Sequence, residues 1–221
     1  MSKSWANCAL AMVLVFVVGC THPLEWRGMV FDNVEARNVD MDGTAVEIVC
    51  DVYDDTTLQF CQYLRDALRG RTGCSVALSA RKGRVYSDYL IECSADLQGS
   101  GDASNFLVSF PGFLLLAHAW LGYGYDVDVS VKCVIHNTNQ LMKLGDFGEE
   151  HHLRIRYADL GTTWAPGWSW YPLLCAIPAF VNGFVVMGYD TDVTPELKSQ
   201  LFPLLAEQVA AKIVSSIRFN R

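Results

Sequence analysis

YGYDVDVSVKCVI, residues 123–135, places Tyr125, Val127, Val129, Val131 and Cys133 on one side and Asp126, Asp128, Ser130, Lys132 and Val134 on the other. A two-residue period of this kind belongs to a β-strand with one face in a core and one in water. Residues 150–158 repeat the pattern, with His152, Arg154 and Arg156 against Leu153, Ile155 and Tyr157, after a turn-rich stretch at 137–148. Two such strands in succession are expected to pair as an antiparallel hairpin.

Working toward the N-terminus, residues 43–53 alternate again, with Ala45, Glu47, Val49 and Asp51 against Val46, Ile48, Cys50 and Val52. Asp54-Asp55-Thr56-Thr57 follows. Acidic and hydroxyl side chains there suit the start of a helix, where unpaired N–H groups and the positive dipole end gather. Leu58, Cys61, Leu64 and Leu68 keep to helical spacing, and Gly70 and Gly73 supply the stop. Residues 74–80 and 84–97, joined by Arg81-Lys82-Gly83, predict a second hairpin, and 98–102 a loop. At the far end Asp192-Val193-Thr194-Pro195 opens a helix whose face is marked by Leu197, Leu201, Leu204, Leu205, Val209, Ile213 and Ile217. Pro203 is expected to kink or split it. The expected fold class is α+β: a single, mostly antiparallel sheet of five or six strands with helices on one face, plus two apolar segments broken by Pro and Gly.

Those segments are residues 106–121, FLVSFPGFLLLAHAWL, and 164–189, WAPGWSWYPLLCAIPAFVNGFVVMGY. Their breakers rule out a straight membrane span, which takes about 20 uninterrupted apolar residues. Two readings stand. The segments fill the core of the domain, or they dip into one leaflet with Trp120, Trp164, Trp168 and Trp170 at the headgroup level.

The first twenty residues have the three-part layout of an export signal: Lys3, an apolar run over residues 8–18, then a small residue before a cysteine. The tetrapeptide Val17-Val18-Gly19-Cys20 resembles the lipobox of bacterial lipoproteins. That resemblance implies a diacylglycerol on the Cys20 sulfur, cleavage just before it, and acylation of the new amino group. It implies, through Thr21 in place of an Asp, the outer membrane in preference to the inner. The expected organisation is a signal peptide at 1–19, an anchor and tether at 20–42 that can add one strand, and one α+β domain at 43–221. Two or three acyl chains hold a protein at a bilayer without any spanning helix.

Charge and cysteines agree with export. The formal charge of −7 becomes −8 once residues 1–19, with Lys3 as their one charged side chain, are removed. An acidic chain lacks the Lys and Arg excess that nucleic acid requires, so no nucleic-acid partner is expected. Apart from Cys8 and Cys20, the cysteines are Cys50, Cys61, Cys74, Cys93, Cys133 and Cys175. Six thiols allow 15 pairings, and their spacing chooses none of them. One or more disulfides are as consistent with the pattern as several buried free thiols.

Catalytic patterns are thin. There is no G-x-S-x-G and no C-x-x-C, and Gly99-Ser100-Gly101 lacks the Lys of a phosphate loop. His118 lies in the first apolar segment, His136 near a strand end and His22 in the tether. Glu149-Glu150-His151-His152 is the densest set of metal-type donors, yet on a strand His151 and His152 point to opposite faces, so no metal and no cofactor is expected. Asp126 and Asp128 share a strand face and are the candidate acids for hydrolysis of an envelope polymer. The preferred expectation is a non-catalytic, periplasm-facing assembly or transport accessory, held to the lipid bilayer through acylated Cys20 and working with an envelope protein partner. A polymer hydrolase and a lipid-binding or pore-forming subunit are the alternatives.

Overall fold

A computed structural model describes residues 22–27, 41, 43–51, 53–80, 87–110, 112, 117–158, 180–181, 183–188 and 193–219. Its elements in chain order are β1 (His22–Arg27), β2 (Ala45–Val49), α1 (Asp55–Thr72), β3 (Ser75–Ser79), β4 (Tyr89–Gly101), α2 (Asn105–Ser109), α3 (Ala117–Leu121), β5 (Tyr123–Asn137), β6 (Met142–Ala158) and α4 (Val193–Phe219). The fold is α+β, with one mixed six-stranded sheet in the order β1-β6-β5-β4-β2-β3.

The alternation in β5 is realised in full. Tyr123, Tyr125, Val127, Val129, Val131, Cys133 and Ile135 are all buried, while the residues between them are half-buried or exposed. Asp126 meets Arg154 and Asp128 meets His152, so residue numbers rise along β5 as they fall along β6. The hairpin expected there is present, with a shorter turn than the sequence suggests. Met142 to Gly148 is strand, and its two glycines hide a weak alternation.

Between β4 and β5 the sense is again antiparallel: Cys93 is bonded to Cys133 and Glu92 faces His136. β1 runs antiparallel to β6, with an irregularity in register between His22 and Glu25. Pro23 lies at that break, on an edge strand, where a missing N–H is tolerated.

The second expected hairpin is not there. β3 and β4 do not pair; each lies beside β2, and both pairings are parallel. α1 is the crossover between β2 and β3, and β2 is thereby sandwiched. Strands inside a parallel arrangement are covered on both faces, and Glu47, which alternation would put in water, is 1% exposed. The sheet is mixed for this reason.

By internal contacts the chain divides into two compact units, one made of Met1–Gly28, Gly99–Val127 and Leu153–Glu196, the other of Met29–Gln98, Asp128–His152 and Leu197–Arg221. The second unit is centred on the two long helices. Asp54 caps α1, its carboxylate accepting the backbone N–H groups of Thr56 and Thr57 at 3.1 and 3.2 Å. Gly73 closes the helix at φ 67°, with its N–H on the Arg69 carbonyl. Phe60 meets Phe202 edge to face at 5.8 Å. Lys198 pairs with Asp55 and Arg71 with Glu207. Contacts that rise together along both helices mean that α1 and α4 run the same way. Pro203 stays inside α4, which is one helix of 27 residues and is not split.

Candidate functional site

In the first unit the start of β5, the end of β6 and the helices α2 and α3 enclose a cleft of about 330 Å³. Asp126, Arg154 and Arg156 come from the strands, and Leu107, Val108, Ala117 and Leu121 from the helices. One wall is charged and the other apolar. Mixed linings of this kind orient a ligand by a few polar groups and retain it by apolar contact.

The scaffold of the cleft is built around Asn105, which is 1% exposed. Its Nδ2 donates to the carbonyls of Gly124 at 2.7 Å and Val186 at 2.6 Å, and its Oδ1 accepts the Gly124 N–H at 2.7 Å. Asp102 adds a second tie, its N–H donating to the Gly124 carbonyl at 3.0 Å. The Asp102 carboxylate accepts the Ser104 N–H at 2.8 Å. That backbone donor, joined by the Ser104 side chain and more weakly by the Arg154 charge, holds the Asp102 carboxyl below its usual range.

Arg154 donates from Nε to Asp126 Oδ1 at 3.1 Å. The acid considered for hydrolysis is therefore engaged by a guanidinium. Asp128, in the other unit, is engaged by His152 at 2.8 Å. Each of the two carboxylates is thus held by a side chain of β6.

The Glu149-Glu150-His151-His152 cluster is divided as strand geometry requires. Glu149 and His151 are together at 3.3 Å, with Lys212 of α4 also on Glu149. Glu150 faces Lys132 at 3.8 Å and His152 faces Asp128. Among the described residues no group of three or more His, Cys, Asp or Glu is placed to hold a metal ion.

Of the aromatic residues singled out in the sequence, Trp120 is on α3 and 78% exposed. Trp164, Trp168, Trp170 and the lipobox with Cys20 lie outside the described residues, as does the side chain of His118. His22 is buried, with Nδ1 2.9 Å from the Pro23 carbonyl oxygen. Sequence reasoning does not mark Asn105, Arg154 or Arg156 as site residues. A signal exists for the arginines, since i and i+2 on a strand share a face. None exists for Asn105, whose role depends on residues 19 and 81 positions away.

No helix among the described residues is long and apolar enough to cross a membrane. No protein-family model matches the chain, and no curated protein matches it. Among solved structures the chain is similar to a PelC dodecamer from Paraburkholderia phytofirmans, at 9% identity and a TM-score of 0.30, over 74% of this chain and 95% of that one. A likeness at that level carries no argument about function.

Proposed function

We propose that the protein is a bacterial lipoprotein: exported, cut before Cys20, acylated on that sulfur and held at a membrane face, the outer membrane in preference to the inner. There it serves as a non-catalytic assembly or transport accessory of the cell envelope, in contact with an envelope protein partner. The observation that carries the reading is the order Lys3, apolar run 8–18, Gly19, Cys20. The disulfide between Cys93 and Cys133 suits an oxidising compartment. In this reading the domain is a mostly antiparallel sheet with its long helices on one face.

The test is palmitate incorporation with membrane fractionation, comparing the native chain with Cys20→Ala. Label in the native protein, its loss in the variant and a shift of the variant away from the anchored fraction are expected. A native protein whose intact mass retains residues 1–19 with an unmodified Cys20 overturns the reading. Mild crosslinking in intact cells tests the accessory role, and failure to recover any envelope partner counts against it.

A further inference from the structure

His22 sets where the anchor can lie. Only Thr21 stands between it and Cys20, and two residues of extended chain reach at most about 7 Å. The His22 ring lies against Gly122, where an added Cβ would meet Cγ at 3.0 Å and Nδ1 at 3.1 Å. Gly122 directly follows α3, and the last two residues of that helix, Trp120 and Leu121, are 78% and 49% exposed. A tryptophan and a leucine facing water thus directly precede the glycine against which His22 packs.

The same unit carries further exposed apolar side chains, two of them at the cleft at Arg154 and Arg156. Leu107 of α2 and Leu121 of α3 both line it, and Leu107 is also largely exposed. Phe106, next in the chain, is the hub of a ring cluster with Phe110, Phe180 and Phe184 at centroid distances of 6.3, 5.6 and 5.1 Å. Phe180, Val181, Phe184 and Val185 are exposed. Contiguous apolar side chains on a soluble surface mark a place that something else covers.

We propose that this face, from Trp120 and Leu121 across Leu107 to Phe180 and Phe184, lies on the leaflet that holds the Cys20 lipid. The inference rests on the lipoprotein reading. What selects the bilayer as occupant is reach: an anchor within about 7 Å of His22 keeps this part of the molecule at the lipid surface at all times. Tryptophan favours the headgroup layer, because its ring is apolar and its N–H finds water or ester oxygens there. Around α2 the backbone N–H groups of Asn105, Phe106, Leu107, Val108 and Phe110 all donate within the local turn, which lowers the cost of placing that segment near lipid.

The experiment is oxidative footprinting read by mass spectrometry at Trp120, Leu107, Phe184 and Met187. The acylated protein is compared on vesicles of phosphatidylethanolamine and phosphatidylglycerol with the Cys20→Ala protein free in buffer, and palmitate label is measured on the same sample. The expected result is label on the native chain together with a several-fold drop in oxidation of these residues on vesicles. Label without protection leaves acylation standing and overturns the membrane face. Absence of label removes the premise and the face with it. Protection of Trp120 in the lipid-free variant that grows with protein concentration assigns the surface to a second copy and also overturns the proposal. Trp120→Ser, a change at an exposed position that the fold does not depend on, is expected to keep the label and to weaken protection at Leu107.

Discussion

Asn105 clasps Gly124 by both of its backbone groups, donating to the carbonyl and accepting the N–H, each at 2.7 Å. A third bond from the same amide reaches the Val186 carbonyl at 2.6 Å. One buried side chain thus ties α2 to β5 and to the helical residues 183–187. Removing it takes this partner from the Gly124 N–H and the Val186 carbonyl, while the Gly124 carbonyl keeps the Asp102 N–H; a buried polar group left unpaired costs about 1–3 kcal/mol. Asn105→Ala is expected to lower stability by about 2–4 kcal/mol in urea unfolding. Asn105→Asp should not rescue it, because a carboxylate cannot donate to the two carbonyls. A variant as stable as the native protein would show that the clasp is dispensable.

Gly101 ends β4 against the backbone of residues 186–188. A Cβ there would overlap the Gly188 carbonyl oxygen and lie 2.5 Å from that of Val186. Backbone cannot step aside as a flexible side chain can, so Gly101→Ala forces β4 and that segment apart. Overpacking of a fixed site costs about 1–3 kcal/mol or more, and a loss at or above that range is expected in thermal unfolding. Gly124→Ala is the matched control: its nearest neighbour would be the Asp102 Cβ at 3.6 Å, ordinary contact. The control should differ little from the native protein.

These two positions also show how far the fold was legible in the sequence. Strong periodicity was enough for β5, for α1 between Asp54 and Gly73, and for the buried stripe of α4 apart from Leu204, which is exposed, because each pattern is local. Gly99-Ser100-Gly101, by contrast, reads as a loop in sequence and is strand in the structure. Glycine is needed at Gly101 because a distant backbone comes close, and no local pattern records that. The same holds for pairing. Residues 74–80 and 84–97 are neighbours in sequence, yet β2 lies between β3 and β4, a choice made by the crossover helix α1. The cleft was half visible: Arg154 and Arg156 alternate as expected, whereas Asn105 draws its partners from elsewhere in the chain.

Cys93 and Cys133 are joined, and Cys50, Cys61 and Cys74 are buried thiols. A crosslink closing a loop of 40 residues restricts the unfolded chain by an entropy equivalent to about 4 kcal/mol. Replacing both cysteines by Ser is expected to cost up to that amount, and non-reducing peptide mapping should recover the linked pair. Burial, with the neighbouring Cys50 next in importance, raises the Cys61 thiol far above its ordinary range. Burial likewise raises that of Cys50. Thiolate is the reactive form, so neither should react with iodoacetamide in the folded protein, and both should react after unfolding. Rapid native labelling of Cys61 would contradict its placement in the core.

Asp54 links cap geometry to acid stability. Its carboxyl is held below the usual range chiefly by the Thr57 hydroxyl, with the backbone N–H groups of Thr56 and Thr57 and the Lys198 charge acting in the same direction. The hydroxyl has one proton and several partners: it also lies 3.1 Å from the Ala95 carbonyl and accepts the Ala95 N–H at 3.0 Å. A carboxyl whose folded pKa is depressed binds protons more weakly in the folded state than in the unfolded one. Its contribution is therefore complete above the unfolded value of about 3.9 and is lost as pH falls through the folded value. Asp54→Ala should lower stability by about 0.5–2 kcal/mol at neutral pH. The gap between variant and native protein should close as the pH is lowered below about 4. Parallel unfolding curves of the two proteins from about pH 7 to about pH 2 span that titration and measure the gap directly. A difference that stays constant across the range would mean that the Asp54 charge contributes nothing to the cap.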